Sequence, residues 1–212
     1  MKLTIEKFQQ LNNVALSDLK EFDKAIEFVR IFTGKSIQEI DDMSVTKFNK
    51  ICSKVMAKFD DSLKKMDDEK PVNWIKVKGK LFYINYNIAQ ISANKYVEAA
   101  IFSSDVIGNL HKIMATMVYE TKWTWRGVKI LPYNAAKHEE ISNIMLQSEF
   151  KQSYQTALFF YHVFKNTILN LRPYLELKAK SQEIVQEALT DFIETMDGLP
   201  MPKWCQNLKI SV

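Results

Sequence analysis

The 212-residue chain contains only two cysteines, five glycines, five prolines and three histidines. Cys52 and Cys205 lie far apart with no CxxC partner, which argues against a disulfide framework or a zinc knuckle. The glycines stand singly, so neither GxGxxG nor a P-loop pattern occurs and the chain offers no ready phosphate cradle. His111, His138 and His162 fall on separate helical segments without HExxH or HxH spacing. His138-Glu139-Glu140 lacks the second ligand one turn later that a zincin needs. These absences lead us to expect no catalytic residues, no cofactor, no metal and no small-molecule substrate: a non-enzymatic protein. No apolar run reaches the roughly 18 to 20 residues that span a bilayer, and MKLTIEKFQQL alternates charged with apolar residues. We therefore expect no membrane partner and no export signal.

What the chain has is apolar content, 47%, in helical order. The longest pattern is EFKQSYQTALFFYHVFKNTILNLR, Glu149 to Arg172. Phe150, Tyr154, Ala157, Tyr161, Phe164, Ile168 and Leu171 return at steps of three and four, the spacing of one helix face. Leu158, Phe160 and Val163 widen that face beyond a surface helix's stripe of roughly 100°, so at least two neighbours must cover a rod of about 36 Å. Pro173 is expected to stop it. Its rings read as core packing and not as a cofactor pocket, because no ligating group accompanies them.

Upstream, Thr4 caps a short helix with Ile5, Phe8 and Leu11 on one face, ending near Asn12 and Asn13. Ser17 opens a second, carrying Leu19, Phe22, Ile26, Val29 and Phe32, closed by Gly34 in left-handed conformation. Ser36 and Glu39 form a capping box for a helix to about Asp42. Ser44 opens the next, with Val45, Phe48, Ile51, Cys52, Val55 and Phe59 inward and Lys47, Lys50, Lys54 and Lys58 outward. Then the period changes to two. VNWIKVKGKLFYINY, residues 72–86, predicts a β-hairpin turning at Lys78 and Gly79. Ser92 caps a short helix to Val97. Ser104 or Asp105 starts a longer one, DVIGNLHKIMATMVYE, in which Gly108 suggests a close helix crossing. TKWTWRGVKILPY reads as an irregular loop or second small hairpin. Asn134 caps a helix to about Gln147, a hinge separates it from the rod starting at Ser148, and a last helix runs from Ser181 to Met196. The expected architecture is mainly α: a compact bundle of seven to nine helices with one small β-hairpin. It would be one domain over residues 1–198, followed by an extended C-terminal arm over 199–212.

Charge is uneven along the chain. Residues 1–71 carry thirteen basic and thirteen acidic side chains, residues 72–133 eight against three, and residues 134–212 eight against nine. The basic middle pairs Lys76, Lys78, Lys80, Lys122, Arg126 and Lys129 with Trp74, Tyr83, Tyr86, Trp123 and Trp125. That mixture suits single-stranded nucleic acid, the alternative reading. Against it stand a total of three arginines and a pI of about 8.8. Protein contact is the primary reading, with Trp74, Trp123, Trp125 and Arg126 in the basic segment and Trp204 in the arm as partner-binding residues, since aromatics and arginine dominate interface energetics.

Four blocks carry a family resemblance: MSVTKFNKIC at Met43–Cys52, KGKLFYINY at Lys78–Tyr86, IGNLHKIMATM at Ile107–Met117 and FKQSYQTALFFYHVF at Phe150–Phe164. In this order they resemble a family of small helical proteins of tailed bacteriophages, especially the crAss-like and related phages of Bacteroidota. The resemblance covers most of the chain, but its motifs are packing motifs. It implies a virion protein, a head–tail connector or ring subunit, or a tail assembly chaperone. The partners it implies are other phage proteins, with self-association among them, in the host cytoplasm during assembly or in the virion. It transfers no catalytic residue.

Overall fold

The structure is a computed structural model that describes residues 3–65, 69–87, 95, 99 and 101–178, with side chains up to Asn166. The expected last helix, the 199–212 arm, Trp204, Cys205 and nearly all of the Ser92–Val97 helix lie outside the described residues.

Helix α1 spans Ile5–Leu16, α2 Glu21–Thr33, α3 Ile37–Asp41 and α4 Val45–Lys64. Strands β1 (Trp74–Val77) and β2 (Lys80–Ile84) precede α5 (Leu110–Met117), which runs directly into β3 (Val118–Thr124) and β4 (Gly127–Ile130). A 3-10 turn, Ala135–Lys137, leads into α6 (His138–Met145), and α7 is the long rod, Phe150–Lys178. The protein is mainly α, but the sheet is larger than the hairpin expected. Two hairpins join through β2 and β3 into one four-stranded antiparallel sheet of order β1-β2-β3-β4.

The local signals that act through backbone hydrogen bonds are realised. Thr4 Oγ1 accepts from Lys7 N at 3.3 Å and caps α1. Gly34 closes α2 at φ 74°. Ser36 Oγ accepts from Glu39 N at 3.2 Å while Glu39 Oε2 accepts from Ser36 N at 2.9 Å, a complete capping box. Lys35 helps pull the Glu39 carboxyl down to about 2. Lys78 and Gly79 turn the first hairpin with φ of 48° and 80°, both left-handed, as a two-residue primed turn requires.

Five local expectations need correction. Helix α1 continues past Asn13 to Leu16, and Ser17 closes it by donating from Oγ to Val14 O at 2.7 Å; α2 starts later, at Glu21, without a side-chain cap. Gly108 sits before α5, not within a helix crossing: Asp105 Oδ1 accepts from its N–H at 2.8 Å, and an added Cβ would meet that carboxylate. Val118, Tyr119 and Glu120 leave the expected helix and become strand, because pairing with β2 satisfies their backbone. The helix α7 passes through Pro173 to Lys178, so proline's missing donor does not end it there. The hinge before the rod is a clamped corner. Ile5 N donates to Ser148 O at 3.0 Å, Phe150 N to Leu3 O at 2.9 Å and Glu6 N to Leu146 O at 2.9 Å, so the N-terminal segment holds both sides of it.

The core is organised on α7. Phe150, Tyr154, Ala157, Leu158, Phe160, Tyr161 and Phe164 are buried, packed among α1, α4, α5 and the sheet. Phe8 of α1 stacks on Phe150 with centroids 3.4 Å apart and on Phe59 of α4 at 5.3 Å; Phe28 of α2 meets Phe59 edge-on at 5.6 Å. One aromatic column thus joins four helices. Tyr161 buries its hydroxyl with a partner, donating to Ala99 O at 2.9 Å, and that burial raises its pKa.

Candidate partner-binding face

Strand side chains alternate across a sheet, so the register divides this one into two faces. Ile75, Val77, Phe82, Ile84 and Val118 are buried on the inner face against the helices. The other parity is the outer face. Pairing of Trp74 with Tyr83, and of Tyr83 with Tyr119, lays three rings in a row across β1, β2 and β3. Trp74 and Tyr83 have centroids 4.9 Å apart. The next rows carry Lys76, Leu81, Thr121 and Ile130, then Trp123 opposite Val128.

The β3–β4 hairpin projects the rings furthest. Trp123 is 73% exposed and Trp125, in the turn, 87%. The Arg126 guanidinium carbon lies 4.4 Å from the centroid of Trp125, an exposed cation–π pair. Gly127, at φ 111°, permits the turn, and Thr124 Oγ1 donates to Gly127 O at 2.8 Å to close it. Trp123, Trp125 and Arg126 therefore share one projecting hairpin, while Trp74 sits across the sheet on β1. Among the anticipated contact residues, Trp204 lies outside the described residues.

The surrounding charge has one sign. Lys76 shares the outer face with the rings and Lys78 and Arg126 stand in the turns, while Lys80, Lys122, Lys129 and the sheet's one carboxylate, Glu120, have the opposite parity. Glu120 is engaged already: Lys137 Nζ donates to its Oε2 at 2.8 Å and is thereby raised in pKa. Lys80 pairs loosely with Glu140 at 3.4 Å. Tyr86, which belonged with the stacking rings in sequence, is withdrawn. Its hydroxyl donates to Val72 O at 2.7 Å, its ring meets Phe159 edge-on at 4.8 Å, and burial raises its pKa.

The sequence reading missed Tyr119, Tyr133 and Lys95. Lys95 is 3% exposed, and its Nζ lies 3.9 Å from the Tyr119 centroid and 4.0 Å from that of Tyr133, a cation held between two rings. Burial also raises the pKa of Tyr119, opposed by a hydrogen bond from Asn85. Beside this box, Tyr83, Asn85, Tyr119, Leu131 and Pro132 line an open cleft of about 580 Å³. The period-two order of Tyr119, Thr121 and Trp123 could have revealed β3. The second-hairpin alternative for TKWTWRGVKILPY matches the Thr121–Ile130 part of it, while the helical pattern running into Tyr119 hid its start.

The histidines are dispersed. Gln9 Nε2 donates to Ile107 O at 2.7 Å and Gly108 O at 2.9 Å and lies 3.1 Å from His111 Nδ1, His138 Nε2 lies 3.1 Å from Thr116 Oγ1 and 3.2 Å from Lys112 O, and His162 Nε2 lies 3.2 Å from Asn166 Nδ2. Among the described residues no group of three or more His, Cys, Asp or Glu is placed to hold a metal, and no helix is long and apolar enough to cross a membrane. Compared with known proteins, the chain matches no family model, no curated protein and no solved structure.

Proposed function

We propose that this is a non-enzymatic binding protein that engages a protein partner through the outer face of its sheet and the β3–β4 hairpin. The observation that carries the reading is the projection of Trp123, Trp125 and Arg126 from one hairpin over a face that also exposes Trp74 and Ile130. Solvent-exposed rings at this density exceed what a sheet needs for its own packing, and ring and guanidinium anchors dominate protein interfaces. The cationic surround favours an acidic partner surface. The sequence resemblance to tailed-phage proteins supplies the setting: a virion, connector or ring subunit, or an assembly chaperone, acting on other phage proteins.

The same rings and lysines favour a second reading, single-stranded nucleic acid stacked on Trp74 and Trp123. The aliphatic Leu81, Val128 and Ile130 between the rings favour protein, because they give a base neither stacking nor charge. A photo-crosslinking residue at Trp125, activated in phage-producing cells, distinguishes the two. Adducts with a defined protein, lost in an Arg126→Ala, Trp123→Ala variant, are expected; adducts with nucleic acid alone, or none, overturn the reading. Mass spectrometry of purified particles then separates a subunit of fixed copy number from a chaperone that leaves.

A further inference from the structure

The sheet ends in two edge strands, β1 and β4, and an edge presents backbone groups that another chain can pair with. On β4 the register shows which groups these are. Leu131 N donates to Glu120 O at 2.9 Å, so this is a bonded pair of the ladder. Antiparallel alternation then makes Lys129–Lys122 and Gly127–Thr124 bonded pairs, and Ile130–Thr121 and Val128–Trp123 non-bonded ones. The N–H and C=O groups of Val128 and Ile130 therefore point away from β3, and among the described residues they meet no hydrogen-bond partner. Pro132, next in that parity, has no N–H and ends the row of donors. On β1 the same alternation, set by Ile84 N donating to Asn73 O at 2.8 Å, turns the groups of Trp74 and Lys76 outward. There Ile75 and Val77 are buried under the helices, so a strand added beside β1 has to find room on a covered face. At β4 both faces are open, since Lys129 and Ile130 are exposed.

The side chains beside the β4 edge identify the occupant. Lys129 lies directly opposite Lys122, and the β2–β3 register carried on by two residues brings Lys80 into the same row. Like charges facing across a ladder are unfavourable. Lys80 has Glu140 at 3.4 Å, whereas neither Lys122 nor Lys129 forms an ion pair among the described residues. A second copy of this chain paired edge to edge, the Val128 of each opposite the Ile130 of the other, would set Lys129 against Lys129 and lengthen the row of cations. A strand with a carboxylate at that position continues the row with the opposite sign. It does so at a non-bonded pair, where facing side chains are closest. The residues on either side of that carboxylate share the face of Val128, Ile130 and Trp123, and apolar side chains there extend the patch.

We infer, on the reading of the sheet as the partner-binding face, that the protein holds its partner by strand addition. An extended segment in which acidic and apolar residues alternate pairs antiparallel with β4, its apolar residues exchanging backbone hydrogen bonds with Val128 and Ile130 and its carboxylate facing Lys129. The ladder gives affinity, while the lysines select charge and repel a second copy. An alternating Glu/Val octapeptide at up to about 1 mM, enough to register weak association, is the probe. Amide hydrogen exchange of the isotope-labelled protein by NMR is the readout. Exchange at Val128 and Ile130 is expected to slow by about tenfold or more near saturation, as opening of a paired edge requires, while Trp74 and Lys76 on the other edge keep their rates. N-methylating the valines of the peptide should abolish the protection, because their N–H groups are the ones aimed at β4; N-methylating the glutamates should leave it. Lys122→Glu with Lys129→Glu should lose the Glu/Val peptide and gain a Lys/Val one, which also shows that the variant is folded. Unchanged exchange at Val128 and Ile130, equal tolerance of both methylation patterns, or equal protection by an oligo-dT strand would overturn the inference. A protein captured through Trp125 while the β4 amides stay unprotected leaves the partner-binding face standing and overturns strand addition alone.

Discussion

At the scale of single residues, the same side-chain type has opposite roles according to what surrounds it. Phe150 is fully buried between Phe8 and Tyr154, whereas Trp125 touches little besides the Arg126 guanidinium. Phe150→Ala should cost about 3–5 kcal/mol by urea denaturation, the range for removing a buried ring with incomplete collapse of the cavity. Trp125→Ala should cost no more than about 0.5–1 kcal/mol, yet weaken binding to the partner isolated by crosslinking. A reversed order of the two stabilities would mean that the hairpin belongs to the core. His111 carries a pH effect. Burial, helped by Lys112 and His138, lowers its pKa below the ordinary 6.5. The folded state therefore binds the proton less readily than the unfolded chain. This contribution is complete above about 6.5, and stability is lost as pH falls through the depressed folded value. Thermal melts between pH 7 and pH 5 should show a shallower acid decline in His111→Asn; an identical decline in both proteins would remove His111 as a cause.

At the scale of elements, sequence was legible wherever one or two residues decide the backbone. The Ser36–Glu39 box, the Gly34 cap and the Lys78–Gly79 turn are local hydrogen-bond and φ problems with local solutions. The boundaries that depend on a distant partner were not legible. Val118–Glu120 reads as the last turn of a helix, and only the β2 edge turns it into strand; the first hairpin therefore became half of a four-stranded sheet. Pro173 reads as a stop, but one lost donor costs about 3 kcal/mol or more, and a long helix flanked by helix-forming residues can continue past it. Of the candidate site, Trp74, Trp123, Trp125 and Arg126 were visible as residues, while the row that joins Trp74 to Tyr119 exists only through register. The first turn gives a direct prediction. An alanine Cβ at Gly79 meets nothing within 4 Å, so Gly79→Ala should cost only the left-handed penalty of about 1–2 kcal/mol. Lys78→Asn should gain a few tenths to about 1 kcal/mol, since Asn tolerates that conformation better. Equal melting temperatures for all three proteins would show that the turn does not set the hairpin's stability.

At the scale of the whole molecule, the aromatic column through α1, α2, α4 and α7 leaves two surfaces with different electrostatic character. Residues 1–71, which supply α1 to α4, carry equal numbers of acidic and basic side chains; the sheet is cationic with its one carboxylate already paired. Exposed charges are screened beyond a Debye length of about 8–10 Å at ordinary salt, so the two surfaces should answer ionic strength differently. Association with an acidic partner at the sheet is steered by long-range attraction, and its on-rate should fall steeply between low and moderate salt. Neutralising Lys76, Lys122 and Lys129 together as Gln should flatten that dependence while leaving the dissociation rate, set by the rings, nearly unchanged. Trp123→Ala should do the opposite, raising the dissociation rate at every salt concentration with the salt slope preserved. Stopped-flow measurement with the crosslinked partner, once isolated, reads both terms; a lysine variant that changed dissociation as much as the tryptophan variant would show that charge, and not ring burial, holds the complex together.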